Sequence, residues 1–167
     1  MPYLQGSRRY KMEKVFMVKI LFICHGNICR SPLAEFLFRD MAKKAGLSEL
    51  FSVASTAVSM EEYGNPVYPP VRRILTSRGI DCSRKHAEIT VPEDYDRYDL
   101  LICMDESNLS RLSRIIGPDR DGKVHLLMEY AGERRSVADP YYSGDFEACL
   151  RDVEAGCRGL LEELIKA

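Results

Sequence analysis

Five residues separate Cys24 from Arg30, with Gly26 and Asn27 between them and Ser31-Pro32 directly after. A cysteine thiolate is a nucleophile, and a guanidinium is a two-pronged donor for a tetrahedral oxyanion. The apolar run Val18-Lys19-Ile20-Leu21-Phe22-Ile23 stops at Cys24, a Gly-Asn pair suited to positive φ follows, and Arg30-Ser31-Pro32 opens a helical pattern. The local order is strand, tight loop, helix. Such a loop turns backbone N–H groups inward at a helix N-terminus and makes a concave positive site that fits phosphate. It comprises Cys24, His25, Gly26, Asn27, Ile28, Cys29, Arg30 and Ser31. The same surroundings favour the thiolate of Cys24 and make it a nucleophile facing the bound anion. A cysteine that merely ends a buried strand is the plainer alternative; the spacing to Arg30 and Ser31 argues against it.

The elements that must hold this loop are legible on either side of it. Val15 to Ile23 is nearly continuous in apolar residues, as suits a central parallel strand covered on both faces. Pro32 in a first turn, Leu33, Phe36, Leu37 and Met41 at helical spacing, and Gly46 as a stop define the next helix. Phe51 to Ser55 reads as a second strand, Thr56 to Pro70 as a loop, and Val71 to Arg78 as a helix ended by Gly79. Tyr98 to Met104 and Val124 to Leu127 supply further strands, with a helix near Glu106 to Ile115 between them. Phe146, Leu150, Val153, Cys157, Leu160 and Leu164 share one face of a long final helix, which places Cys149 and Cys157 in or near the core. Alternating strands and helices predict an α/β three-layer sandwich with a central four-stranded parallel sheet, the phosphate-binding loop following its first strand.

The 167 residues, 46% hydrophobic and 29% charged, suit one globular domain over 15–167. A formal net charge of -1 does not suggest nucleic-acid or membrane binding, and no stretch reads as a membrane span. The six cysteines are irregularly spaced and no secretory apolar region precedes them, which points to a reducing, cytoplasmic setting. His25, His86 and His125 are scattered and no Cys-x-x-Cys pair occurs, so neither a metal nor another cofactor is expected. Residues 1–14 are polar and basic, with Arg8, Arg9, Lys11 and Lys14, and read as a flexible N-terminal extension.

From about Met17 to the C-terminus, the chain resembles the low-molecular-weight protein tyrosine phosphatases. Cys24-His25-Gly26-Asn27-Ile28-Cys29-Arg30-Ser31-Pro32 is similar to their signature, and Asp139-Pro140-Tyr141-Tyr142 is a second anchor. The resemblance implies a monomeric enzyme that hydrolyses phosphotyrosine in proteins or peptides through a cysteinyl-phosphate and is inhibited by oxyanions such as phosphate or vanadate. A tyrosyl oxygen needs a proton to leave, and the resemblance assigns that acid role to Asp139. Ser31 is placed to donate to the Cys24 sulfur. The family pattern implies that Asn27 holds the loop in a left-handed turn through Ser31 and Ser55. A supporting His of some members aligns near Arg84, two positions from His86. The substrate wall is expected from Met60, Glu61, Glu62 and Tyr63, together with Tyr141 and Tyr142. Cys29, inside the loop, is placed to form a protective disulfide with an oxidised Cys24.

Two other chemistries share the scaffold. Protein-arginine phosphatases resemble this loop but carry Thr where this chain has Ile28. A thiol-dependent arsenate reductase needs two further relay cysteines, and residues 105 to 125 contain none. A non-catalytic phosphate-binding module would have lost Cys24 or Asp139, and both are present.

Overall fold

A computed structural model describes residues 17–166. The expected extension at residues 1–14 and the expected strand start at Val15 lie outside the described residues. Strands β1 (Val18–Cys24), β2 (Phe51–Ala57), β3 (Leu100–Cys103) and β4 (Val124–Leu126) pair in the order β2-β1-β3-β4, parallel throughout. The helices are α1 (Arg30–Lys44), α2 (Pro69–Ser77), α3 (Asp94–Arg97), α4 (Glu106–Ile116), α5 (Pro140–Ser143) and α6 (Phe146–Lys166). This is the expected α/β sandwich.

Successive side chains of a strand point to opposite faces, and β1 therefore feeds two cores. Ile20, Phe22 and Cys24 pack with Leu33, Leu37 and Phe38 of α1, Leu75 of α2, and Val153, Cys157 and Leu160 of α6. Leu21 and Ile23 face the other way, onto Tyr95 of α3, Leu101 and Cys103 of β3, Leu112 of α4 and Leu126 of β4. Helices thus cover both faces of the sheet. Cys82, Cys103, Cys149 and Cys157 are all buried free thiols.

Several boundaries differ from expectation for identifiable reasons. β2 continues through Thr56 and Ala57, which pair with Ile23 and Cys24, so Ser55 lies within the strand opposite Phe22. α2 starts at Pro69, because proline fixes a helical φ and its missing N–H falls where a helix has no acceptor to offer. α3, α5 and the 3₁₀ turns at Ser48–Leu50 and Leu127–Ala131 are too short for a hydrophobic period to register.

α6 approaches the Leu127–Ala131 turn through glycines. A Cβ on Gly159 would stand 1.9 Å from the Tyr130 carbonyl oxygen, and one on Gly156 would stand 2.5 Å from Leu127 Cγ. Among the described residues, no helix is long and apolar enough to cross a membrane.

Candidate active site

β1 ends at Cys24 and α1 begins at Arg30, so the intervening loop crosses the carboxyl edge of the sheet. Its carbonyls face outward: Val58 N donates to Cys24 O at 3.0 Å, Ser59 N to His25 O at 3.0 Å, and Tyr68 N to Ile28 O at 2.9 Å. A trans peptide points its N–H away from its C=O, which turns the N–H groups of His25, Gly26 and Cys29 inward. Asn27 N donates to Cys24 Sγ at 3.3 Å. The thiol therefore sits among converging donors.

Positive φ, expected for the Gly26-Asn27 pair, falls on Asn27 alone, at 60°. Gly26 answers a different need, since its Cβ would lie 3.1 Å from Glu62 Cγ, which packs over it. The Asn27 side chain uses all its polar atoms. Nδ2 donates to Ser31 Oγ at 2.8 Å and to Ser55 Oγ at 2.9 Å, and Oδ1 accepts from Glu88 N at 3.0 Å. An amide NH₂ only donates, so Ser31 accepts from Asn27 and keeps its own proton for Cys24 Sγ, 2.9 Å away.

The network continues into residues that sequence reasoning did not name. Ser55 Oγ donates at 2.6 Å to Glu35 Oε1, and Arg39 Nη2 donates at 2.7 Å to Glu35 Oε2. Lys85 Nζ donates to Ser55 O at 2.8 Å and stands 3.8 Å from Glu35 Oε1. Burial pulls the Lys85 ammonium below its usual range, with Glu35 and Glu88 opposing that shift. The outer support looked for at Arg84 and His86 is thus displaced by one residue. The His86 ring is instead 3.1 Å from Arg84 O, on the surface. The legible signal was Glu35 itself, a charge one helical turn after Ser31 on the face that α1 buries.

Arg30 is 2% exposed. Its Nη1 donates at 2.8 Å to both Asp105 Oδ2 and Val137 O, Nη2 lies 3.4 Å from Asp139 Oδ2, and buried Nε has no hydrogen-bond partner. Burial disfavours the charge, but Cys24, Asp105 and Asp139 outweigh it and hold the guanidinium protonated beyond its ordinary range. Sequence reasoning also missed Asp105. It caps α4 by accepting from Asn108 N at 2.8 Å through Oδ1, leaving Oδ2 for Arg30. Its signal was an N-cap residue at the end of a buried strand, on the sheet edge that holds the loop.

Asp139 caps α5, with Oδ1 accepting from Tyr141 N at 3.1 Å. Tyr141 and Tyr142 line the cleft in an edge-on pair with ring centroids 5.4 Å apart, and Tyr68 backs Tyr141 at 5.4 Å. Tyr63 is not among the residues lining the cleft. A turn in which Tyr63 N donates to Met60 O at 3.1 Å carries it to the surface, 65% exposed, while Glu61 and Glu62 take the lining positions. His25 Nε2 meets Glu61 Oε2 at 3.1 Å across the mouth. Cys29 is buried at the start of α1; desolvation first, then Cys24, Asp139 and Cys149, push its thiol well above the usual range.

A parallel α/β sheet carrying a donor-lined loop, a thiol and a buried guanidinium at its carboxyl edge defines a cysteine-based oxyanion site. The profile of the low molecular weight phosphotyrosine protein phosphatases matches residues 19–167. The chain is 35% identical over 152 residues to the low molecular weight protein-tyrosine-phosphatase YfkJ of Bacillus subtilis, spanning 90% of this chain and 97% of that one. It is 38% identical over 149 residues to the human low molecular weight phosphotyrosine protein phosphatase, spanning 86% and 94%. The crystal structure of YfkJ aligns with a TM-score of 0.86 at 35% identity, over 90% of this chain and 96% of that chain. A Drosophila arginine phosphatase aligns with a TM-score of 0.78 at 25% identity, over 87% and 97%. The chain belongs to the low molecular weight phosphotyrosine protein phosphatase family.

Proposed function

We propose that the chain hydrolyses phosphotyrosine in proteins and peptides through a cysteinyl-phosphate on Cys24. The observation that carries this reading is the unshared edge of Arg30. Asp105 and Val137 hold Nη1, Nε has no partner, and Nη2 makes only its long contact to Asp139, so two adjacent donors remain for a phosphate's oxygens. Bound there and by the inward N–H groups, the phosphorus faces Cys24 Sγ. The thiolate attacks it, the bond to the tyrosyl oxygen breaks, and Asp139 delivers its proton to that oxygen. Water then attacks the thiophosphate while the Asp139 carboxylate takes its proton. Cys24 departs as a thiolate that Ser31 stabilises by donation.

The aromatic pair Tyr141 and Tyr142 and apolar Ile28 suit a phenyl ring better than a guanidinium, which favours phosphotyrosine over phosphoarginine. Inorganic phosphate and vanadate are the inhibitors that this site chemistry supports. Cys29 is the proposed redox partner. When peroxide has oxidised Cys24 to a sulfenic acid, the Cys29 thiol displaces water from it and the two sulfurs bond. Six buried free cysteines support a reducing, cytoplasmic setting, and action as a monomer belongs to the same proposal.

The test is phosphate release from phosphotyrosine, phosphoarginine and phosphoserine peptides, with arsenate turnover beside a thiol reductant. Phosphotyrosine should be strongly preferred, and Cys24→Ser should abolish release while still binding phosphate. Faster phosphoarginine turnover, or substantial activity in Cys24→Ser, would overturn the reading.

A further inference from the structure

A groove leaves the catalytic cleft at Ile28 and Glu62, which line both. Val67 and Tyr68 form part of its wall, and Arg72 and Arg73 of α2 project along it, both exposed. The bond from Tyr68 N to Ile28 O, 2.9 Å, ties the start of α2 to the phosphate loop and fixes the groove relative to the cleft. Among the described residues, no carboxylate lies within ion-pair distance of Arg72 or Arg73. Charge is therefore ordered along the path. Glu61 and Glu62 stand at the cleft mouth, with Glu62 Oε2 held by Asn65 Nδ2 at 2.6 Å, and the two arginines lie beyond them.

The spacing sets a register. Tyr68 backs the cleft residue Tyr141 with ring centroids 5.4 Å apart, and Arg72 is roughly 6 Å further along the helix axis at about 1.5 Å per residue. An extended polypeptide advances about 3.3 Å per residue. We propose that the groove receives the extended segment flanking a substrate phosphotyrosine and selects an acidic side chain about two to four residues away from it. This rests on the phosphotyrosine reading above. A carboxylate immediately beside the phosphotyrosine meets Glu61 and Glu62 and is disfavoured; a Lys or Arg there is favoured. The substrate class is thus a phosphotyrosine with a basic or neutral neighbour and an acidic residue further along.

The experiment compares kcat/KM of the full chain on neutral phosphotyrosine peptides carrying one Asp at each position from the fourth before to the fourth after the phosphotyrosine. At low salt, Asp about two to four residues away on one side should raise kcat/KM about two- to fivefold, and salt should erase the gain. Arg72→Glu/Arg73→Glu should reverse the preference to Lys at that position, while turnover of free phosphotyrosine stays at the parent level. A flat position profile in the parent, or an unchanged profile in the double variant, would overturn the proposal. So would a double variant that changes only the oligomeric mass, because the groove would then serve a second copy of the chain. Absence of turnover on free phosphotyrosine in the parent would instead remove the underlying phosphatase reading.

Discussion

Asp139 divides its carboxylate between two contacts. Oδ1 caps α5 through Tyr141 N, and Oδ2 is the oxygen turned toward Arg30, 3.4 Å away. Asparagine is also a good N-cap, so Asp139→Asn keeps the helix start and removes the transferable proton. Turnover of phosphotyrosine should fall by about 10²- to 10⁴-fold, the usual contribution of a general acid. An activated aryl phosphate should be slowed much less, since its phenolate leaves without a proton. The slowing should appear in the rate of phosphoenzyme formation. Rapid-quench measurement of the phosphoenzyme isolates this step. Equal slowing of both substrates would make Asp139 structural.

Among the elements, α6 shows most directly how packing can oppose local preference. Alanine is a better helix former than glycine by about 1 kcal/mol, so propensity alone predicts that Gly159→Ala stabilises the chain. The Tyr130 carbonyl, 1.9 Å from the position of the new Cβ, demands the opposite. Separating α6 from the Leu127–Ala131 turn should cost about 1–3 kcal/mol as overpacking. The melting temperature should therefore fall by several degrees. A rise in Tm would show that the two elements are not in close contact. α1 is constrained in another way: its first two turns bury Arg30, Ser31 and Glu35 beside Leu33, Leu37 and Phe38, so polar contacts and apolar packing hold it together.

At the scale of the whole molecule, the site is a junction. Cys24 and Arg30 come from the first loop, Glu61 and Glu62 from the segment after β2, Asp105 from the end of β3, and Val137 and Asp139 from the approach to α5. An anion bound at this junction recognises the folded chain and not the unfolded one. Inorganic phosphate at about one hundred times its Kd should add about 2.7 kcal/mol to stability and raise Tm accordingly. Cys24→Ser should keep that shift. Arg30→Ala should lose most of it, read by thermal melts with and without phosphate. No shift in the parent would mean that the loop does not bind phosphate.

The sequence by itself determined the strand-loop-helix order, the alternation that makes a parallel sheet, and the thiol and guanidinium of one short loop. Those depend on neighbours within a few residues, where apolar period, capping residues and Cys-to-Arg spacing leave a direct mark. It also marked Asn27, whose left-handed conformation suits few other residues. Tertiary structure decided the partners. Arg30 meets Asp105, Val137 and Asp139 across separations of 75, 107 and 109 residues, and Lys85 reaches Ser55 across 30. Nothing in a local pattern specifies such pairings. It was likewise the path of the turn after β2 that sent Tyr63 to the surface and Glu61 and Glu62 to the cleft. A side chain's type sets what chemistry it can perform, but the backbone direction at its Cα sets whom it performs it with, and only the packed fold fixes that direction.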